Sequence, residues 1–200
     1  MSTVAAIKQV FGMLGFITLL TGLHPPSALP ANESHVLNNL SPEKVADYIH
    51  SIVEADRKIY TTHIVKRMQE LGVVMAREDW ENKNAIPLPA QFLHISSKLV
   101  AESGNGIRFR LISLWPIYRR NGPATDFERK ALEQLAQNPE VPQRGTVSTG
   151  KKQLFQAIYA DTAINSACIT CHNAHPLSPK RDFKVGDLMG GIVVTIPLEQ

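Results

Sequence analysis

The chain has 200 residues, 44% hydrophobic, 20% charged and a formal charge of +3, enough apolar content to bury a globular core in one domain. Basic and acidic side chains are interspersed, with no run of Lys or Arg, which argues against a nucleic-acid surface. Internal repeats and low-complexity tracts are absent from the sequence.

The first element is a leader. Residues 1–31 carry a single charged side chain, Lys8, ahead of the apolar run Val10–Leu23, and end in small residues around Ala28 and Ala31. A basic start, a short apolar centre and a small-residue exit predict a signal peptide cleaved after Ala31. The alternative is an uncleaved anchor, although 14 apolar residues fall short of the roughly 20 that span a bilayer. The expected location of the mature chain is periplasmic or otherwise extracytoplasmic, where disulfides are permitted.

Residues 32–40 read as a lead-in. From Ser41 to Gly72 one long helix is predicted: Ser41 is a good N-cap, Pro42 suits the first helical position, and Glu43 suits the positive end of the dipole. Its apolar stripe is taken as Val45, Ile49, Ile52, Ile59, Tyr60, Ile64, Met68 and Leu71. At about thirty residues the helix is long for a globular domain and suggests pairing with a second copy of the chain. A proline-punctuated connector (85–91) leads to a helix over 90–102 built on Phe92, Ile95 and Leu99.

"IRFRLISLW" (107–115) alternates apolar residues with Arg108 and Arg110, the pattern of a half-buried strand. Thr125 and Glu128 stand at capping-box spacing at the head of another helix. "GTVST" and "QLFQAIYA" are strand candidates around a turn at Gly150, residues 161–172 a short helix, and 190–198 a closing strand. The mixture predicts an α+β domain.

The two cysteines of the chain stand in "SACITCHNAHPLSP" (166–179) as Cys168 and Cys171, followed at once by His172. Three chemistries compete. A thioredoxin-like pair belongs early in a βαβ unit, whereas this one is late. A zinc site needs four ligands, so His172 and His175 would have to complete it at very tight spacing. The third is covalent haem, for which Cys-x-x-Cys-His is the attachment motif. Residues i and i+3 share a helix face, so both thiols can bond the two vinyl groups while the next imidazole reaches the iron. This is the favoured reading, with one haem c held by Cys168, Cys171 and His172.

The segments "LISLWPIYRRNGPATDFERKAL" (111–132), "ACITCHNAHPLSPKRDFKVGDLMGGIVVTIPL" (167–198) and the helix ending "YTTHIVKRMQELG" resemble the secreted c-type haem, PAS-like sensor domain family, formerly a domain of unknown function. The similarity covers residues 41–198. It implies one covalent haem on an antiparallel sheet flanked by helices, and redox or small-ligand (gas) sensing rather than bulk electron transport. Some members take a cysteine axial ligand from the first long helix. Both cysteines here are used in attachment, so thiolate ligation from this chain is ruled out.

For the far side of the iron, the candidate metal ligand is His63. It lies five helical turns after Val45 and, by the 3.6-residue period, shares the face of Val45, Ile52 and Ile59. The alternatives are a core histidine, an exposed one, or a five-coordinate iron open to a gas. His50, His94, His175 and Met189 rank lower. Arg119, Arg120, Lys180 and Arg181 are candidates for pairing haem propionates, with solvated surface charge the alternative for each. Trp115 and Phe183 are assigned to the core. The expected function is sensing through haem, with an unknown redox or signalling protein as partner. The alternative is a periplasmic or lumenal electron-transfer cytochrome. An enzyme is not expected, for want of a distal acid/base pair.

Overall fold

The computed structural model describes residues 40–198; the predicted leader and nearly all of the predicted lead-in lie outside them. Helix α1 (Pro42–Ile59) starts as its sequence predicts, with the Ser41 hydroxyl accepting from the Lys44 amide at 3.3 Å and Pro42 in the first turn. It runs without a break into a π-helical segment (Tyr60–Lys66) and then a last α-turn, α2 (Arg67–Glu70). Gly72, at φ +67°, ends the run, a conformation that glycine adopts without strain.

A connector that includes the Ala76–Ile86 bridge leads to α3 (Pro89–Glu102). Strand β1 (Arg108–Ile112) and helix α4 (Asp126–Gln137) follow. Then come the hairpin β2 (Gln143–Thr149) and β3 (Lys152–Thr162), turned at Gly150, and helix α5 (Ser166–Ala174). Strand β4 (Leu188–Pro197) closes the fold. The sheet is antiparallel in the order β1-β4-β3-β2. This is the α+β architecture expected from the sequence, an antiparallel sheet flanked by helices with a long helix in front.

Both faces of the sheet are covered. On one, Phe109, Phe155, Ala157, Tyr159, Ile192 and Val194 pack against Ala46 and Val53 of α1 and Leu93 of α3. On the other, Ile112, Ile158 and Val193 pack against Ala131, Leu132 and Leu135 of α4. Strand β1 keeps the alternation read in the sequence, with Phe109 and Leu111 packed on one face and Arg108 exposed. Arg110 points toward α4, where its guanidinium meets the buried Glu128 carboxylate at 2.6 Å. The Arg110 side chain stays 38% exposed while its head group reaches the buried carboxylate.

The predicted stripes of α1 and α3 need correction. The buried face of α1 and the π segment is Ala46, Val53, Thr61 and Val65, while Ile52, Ile59, Ile64 and Leu71 are exposed. In α3 Leu93 is buried, and Ile95 and Leu99 are exposed. The core side of α1 accepts small and polar residues because the sheet approaches closely there and supplies them with partners. Of the predicted stripe, Ile49 packs against the core and Val45, Tyr60 and Met68 are half-buried, so the large apolar side chains divide between the two faces.

Candidate functional site

Helix α5 sits in the connection between the two central strands, β3 and β4. Its start is fixed by Asn165, whose side-chain oxygen accepts from the Ala167 amide at 3.0 Å. Such a cap satisfies one of the amides that a helix start leaves unpaired. The same side chain lies 3.9 Å from the Cys168 sulfur and donates its amide to Thr62 of the π segment at 3.5 Å. The helix thus starts at a set point against the long helix.

Cys168, Cys171 and His172 all fall within α5, at the i, i+3, i+4 spacing the motif predicts. Cys168 is half-buried and Cys171 exposed, and neither is in a disulfide. Burial on its inner side, then the neighbouring Cys168 and Glu78, pushes the Cys171 thiol up. A dithiol used for exchange has its pKa lowered instead, so this environment disfavours the thioredoxin-like reading. Among the described residues, no group of three or more His, Cys, Asp or Glu side chains stands ready to hold a metal ion, so His172 and His175 do not complete a zinc set with the cysteines.

The His172 ring is held edge-on to Phe183, with ring centres 5.9 Å apart and planes at 88°. Phe183 is itself locked: the Asn173 amide donates to its carbonyl at 2.9 Å and accepts from its amide at 3.0 Å. Trp115 packs edge-on to the other side of Phe183, and Ala163 and Met189 complete this small core. The assignment of Trp115 and Phe183 to the core is met, and Met189 is buried there. The Nδ1 atom of His172 is buried without a hydrogen-bond partner. Burial, then Arg57 and His175, holds its pKa below the usual histidine range. A neutral imidazole is the form that ligates a metal.

Beyond the C-terminal end of α5, His175 accepts from the Leu177 amide through Nδ1 at 3.1 Å and presents Nε2 to Glu78 at 3.2 Å. Glu78 also accepts from the Tyr118 hydroxyl at 2.7 Å. Three segments distant in sequence are tied together beside Cys171. On the other side of Cys171 a cleft of about 280 Å³ opens between α5 and Lys66, Gln69 and Glu70.

The sequence placed His63 on the apolar face of the long helix. It lies exposed in the π segment, and the premise that it shares a core-facing stripe with Ile52 and Ile59 fails because both isoleucines face outward. His50 is stacked on Tyr159 at 3.8 Å, within the helix–sheet interface, and His94 is exposed. Of the cations suggested for propionates, Lys180 is paired with Asp182 at 2.5 Å and Arg181 bonds the carbonyls of Pro176 and Ser178. Arg120 lies over the Tyr118 ring. Sequence reasoning missed Asn165, Asn173, Glu78, Arg57 and Asp161. Only Asn165 left a readable signal, as an N-cap directly before the motif.

A sheet of this order, with a Cys-x-x-Cys-His helix between its central strands, defines a compact α+β domain built to hold one small helix against a long one. The profile of the Tll0287-like family matches residues 38–197, and the chain belongs to that family. Among solved structures, one described as the crystal structure of the cyanobacterial heme-protein Tll0287 matches with a TM-score of 0.50 and 20% identity, over 80% of this chain and 99% of that one. At that identity the likeness concerns the fold. No curated protein matches the chain.

Proposed function

We propose that this protein is an exported c-type haem protein with one haem bonded to Cys168 and Cys171 and ligated by His172, acting in redox or gas sensing. The observation that carries the reading is the α5 geometry: two unpaired thiols three residues apart, and next to them an imidazole with a buried, unpartnered ring nitrogen. The family assignment supports it, since the matched solved structure is described as a heme-protein. The residues present fit the group. Asn165 sets where the helix begins, and Phe183 and Asn173 fix the imidazole.

When bound, haem supplies a one-electron couple and an iron position that a diatomic gas can occupy. The protein's part is to orient His172, to keep it unprotonated, and to shelter one side of the site with Trp115 and Phe183. For the sixth position the candidate side chain is His63, whose π segment packs against α5; the alternative is a site open to a gas. A partner protein would receive the signal, and the exposed side of the long helix offers a surface for a second copy of the chain. No substrate turnover is included in this reading.

The second reading is electron transfer outside the cytoplasm, favoured by the exposure of Cys171, which would bring a haem edge to solvent. Production with the periplasmic maturation apparatus, followed by a pyridine haemochrome spectrum, tests the foundation. A c-type band is expected from the wild type and not from Cys168→Ala/Cys171→Ala. CO or NO binding by the ferrous protein supports sensing, and a saturated low-spin iron with fast electron exchange supports transfer. A ferric spectrum unchanged in His63→Ala would remove His63 as ligand.

A further inference from the structure

Helix α5 has 9 residues, and a helix that short has little stability of its own in water, so its ends must be held by the rest of the fold. The start is held by the Asn165 cap. The far end carries no local stop. His175, which follows the last helical residue, is extended at φ −68° and ψ 129°, not in the left-handed conformation that commonly ends a helix. Pro176 comes next and has no amide to offer the last carbonyls. The closing bond of the helix runs from the His175 amide to the Cys171 carbonyl, at 3.0 Å.

The His175 side chain supplies what the backbone lacks. Its Nδ1 accepts from the Leu177 amide, so the ring proton of the neutral form sits on Nε2, 3.2 Å from Oε1 of Glu78. The other oxygen of Glu78 accepts from the Tyr118 hydroxyl at 2.7 Å. The Glu78 carbonyl accepts from the Gln91 side chain, in the first turn of α3, at 2.8 Å, and Gln91 accepts from the Leu88 amide at 2.9 Å. Glu78 is thus fixed at its backbone and at its carboxylate when it meets His175. Its side chain is 43% exposed, and pairs that open to water add little stability. Stability alone is a weak reason for these segments to converge on one imidazole.

The two cysteines depend on that contact unequally. Cys168 lies in the first turn of α5, its amide bonded to the Asn165 carbonyl at 3.2 Å. Cys171 lies in the last turn, and its carbonyl is the acceptor of the closing bond. Releasing His175 opens the helix at Cys171 and leaves Cys168 in place. We propose that Glu78 is a positioning residue for haem attachment: through His175 it keeps the last turn of α5 closed, so that Cys171 stays on one helix face with Cys168 and both sulfurs reach their vinyl groups. This rests on the haem reading above. In each addition the sulfur bonds one vinyl carbon and its hydrogen goes to the other, so nothing is oxidised or reduced and nothing leaves.

Two measurements on the wild type, Glu78→Ala and Glu78→Gln test the role. In the reduced apoprotein, the His175 amide is expected to exchange its hydrogen about tenfold faster in Glu78→Ala, with the Cys168 amide unchanged. Glu78→Gln keeps an oxygen toward Nε2 and should restore slow exchange. After periplasmic maturation, the wild type and Glu78→Gln should carry two thioethers. Glu78→Ala should contain molecules joined through Cys168 alone, with a free Cys171 thiol that iodoacetamide labels in the unfolded holoprotein and a haemochrome band displaced by the vinyl group that remains. If Glu78→Ala does not fold, Tyr118→Phe, which takes one support from the carboxylate, carries the test with smaller changes of the same sign. Two thioethers throughout, or exchange that rises at Cys168 as much as at His175, would overturn the inference and leave the haem reading intact. A wild-type protein without a c-type haemochrome would overturn both.

Discussion

Glu128 shows how one buried carboxylate closes several accounts at once. It accepts from Arg110 at 2.6 Å, from the Ala124 amide at 2.7 Å and from Gln156 at 3.3 Å, and its own amide is capped by Thr125. Glu128→Ala strips an amide and a buried Gln of their acceptor. A loss of about 3 kcal/mol is expected in urea unfolding, as for other broken buried pairs. His50 gives a second prediction. Burial pushes its pKa down, opposed by Glu54 and Asp47, and its ring lies on Tyr159, which donates to Asp47 at 2.7 Å. The folded state therefore takes up this proton at lower pH than the unfolded chain, whose histidine titrates near 6.5. The contribution is complete above about pH 6.5 and fades as pH falls through the lowered value. The urea midpoint of the protein should drop between pH 7.5 and 5.5. His50→Phe, which keeps the stacked ring, should flatten that slope; an unchanged slope would exclude His50 as its source.

At the scale of elements, the central strand β4 depends on two small residues. Gly191 stands opposite Ile112 of β1 and Ala160 of β3, and a Cβ there would meet Ile158 and Leu132. A Cβ on Gly190 would run into the Ile112 carbonyl oxygen, which is backbone and cannot swing aside. Gly190→Ala is expected to destabilise the fold by about 3 kcal/mol, measured by thermal or urea unfolding. The positions of the elements were largely legible in the sequence. The cap at Ser41, the Thr125–Glu128 spacing, the turn at Gly150 and the closing strand are local signals, and each lies where its chemistry requires. Facing was less legible. Which side of α1 is buried depends on Tyr159 and Asp161, more than a hundred residues away, which make places for His50 and Arg57 on the inner side. The π segment was invisible to a 3.6-residue period. Its wider turns shift the phase after Ile59, so extrapolating from Val45 to His63 could not place that ring.

For the whole molecule, the consequence of that facing is an outer helix surface bearing Tyr48, Ile52 and Ile59, with Ile52 63% and Ile59 54% exposed. Spacings of four and seven are those of a helix-pairing seam. On the proposal that a second copy covers this face, wild-type protein should sediment at twice the chain mass. Ile52→Glu/Ile59→Glu should be monomeric, with stability changed by no more than about 0.5 kcal/mol. A monomeric wild type at high concentration would exclude this arrangement. The site divides in the same way as the fold. Cys168, Cys171 and His172 are contiguous, so a single helix brings them together and the sequence displays them. Phe183 and Glu78 come from separate parts of the chain, and only the closed fold brings them to His172 and His175.

The strand order carries a consequence for assembly. Because β4 lies between β1 and β3, those two strands share no hydrogen bonds, and the centre of the sheet is absent until residues 188–197 enter it. The β2–β3 hairpin can form locally, whereas joining β1 to β4 closes a loop of some eighty residues, a slow, non-local event. Residues 166–174 precede β4 in the chain. On the proposed export, both thiols would become reachable while the sheet is still open. A catalyst that joins them to another molecule would meet an extended strand of peptide, and the final strand would then shut the fold around the finished bond.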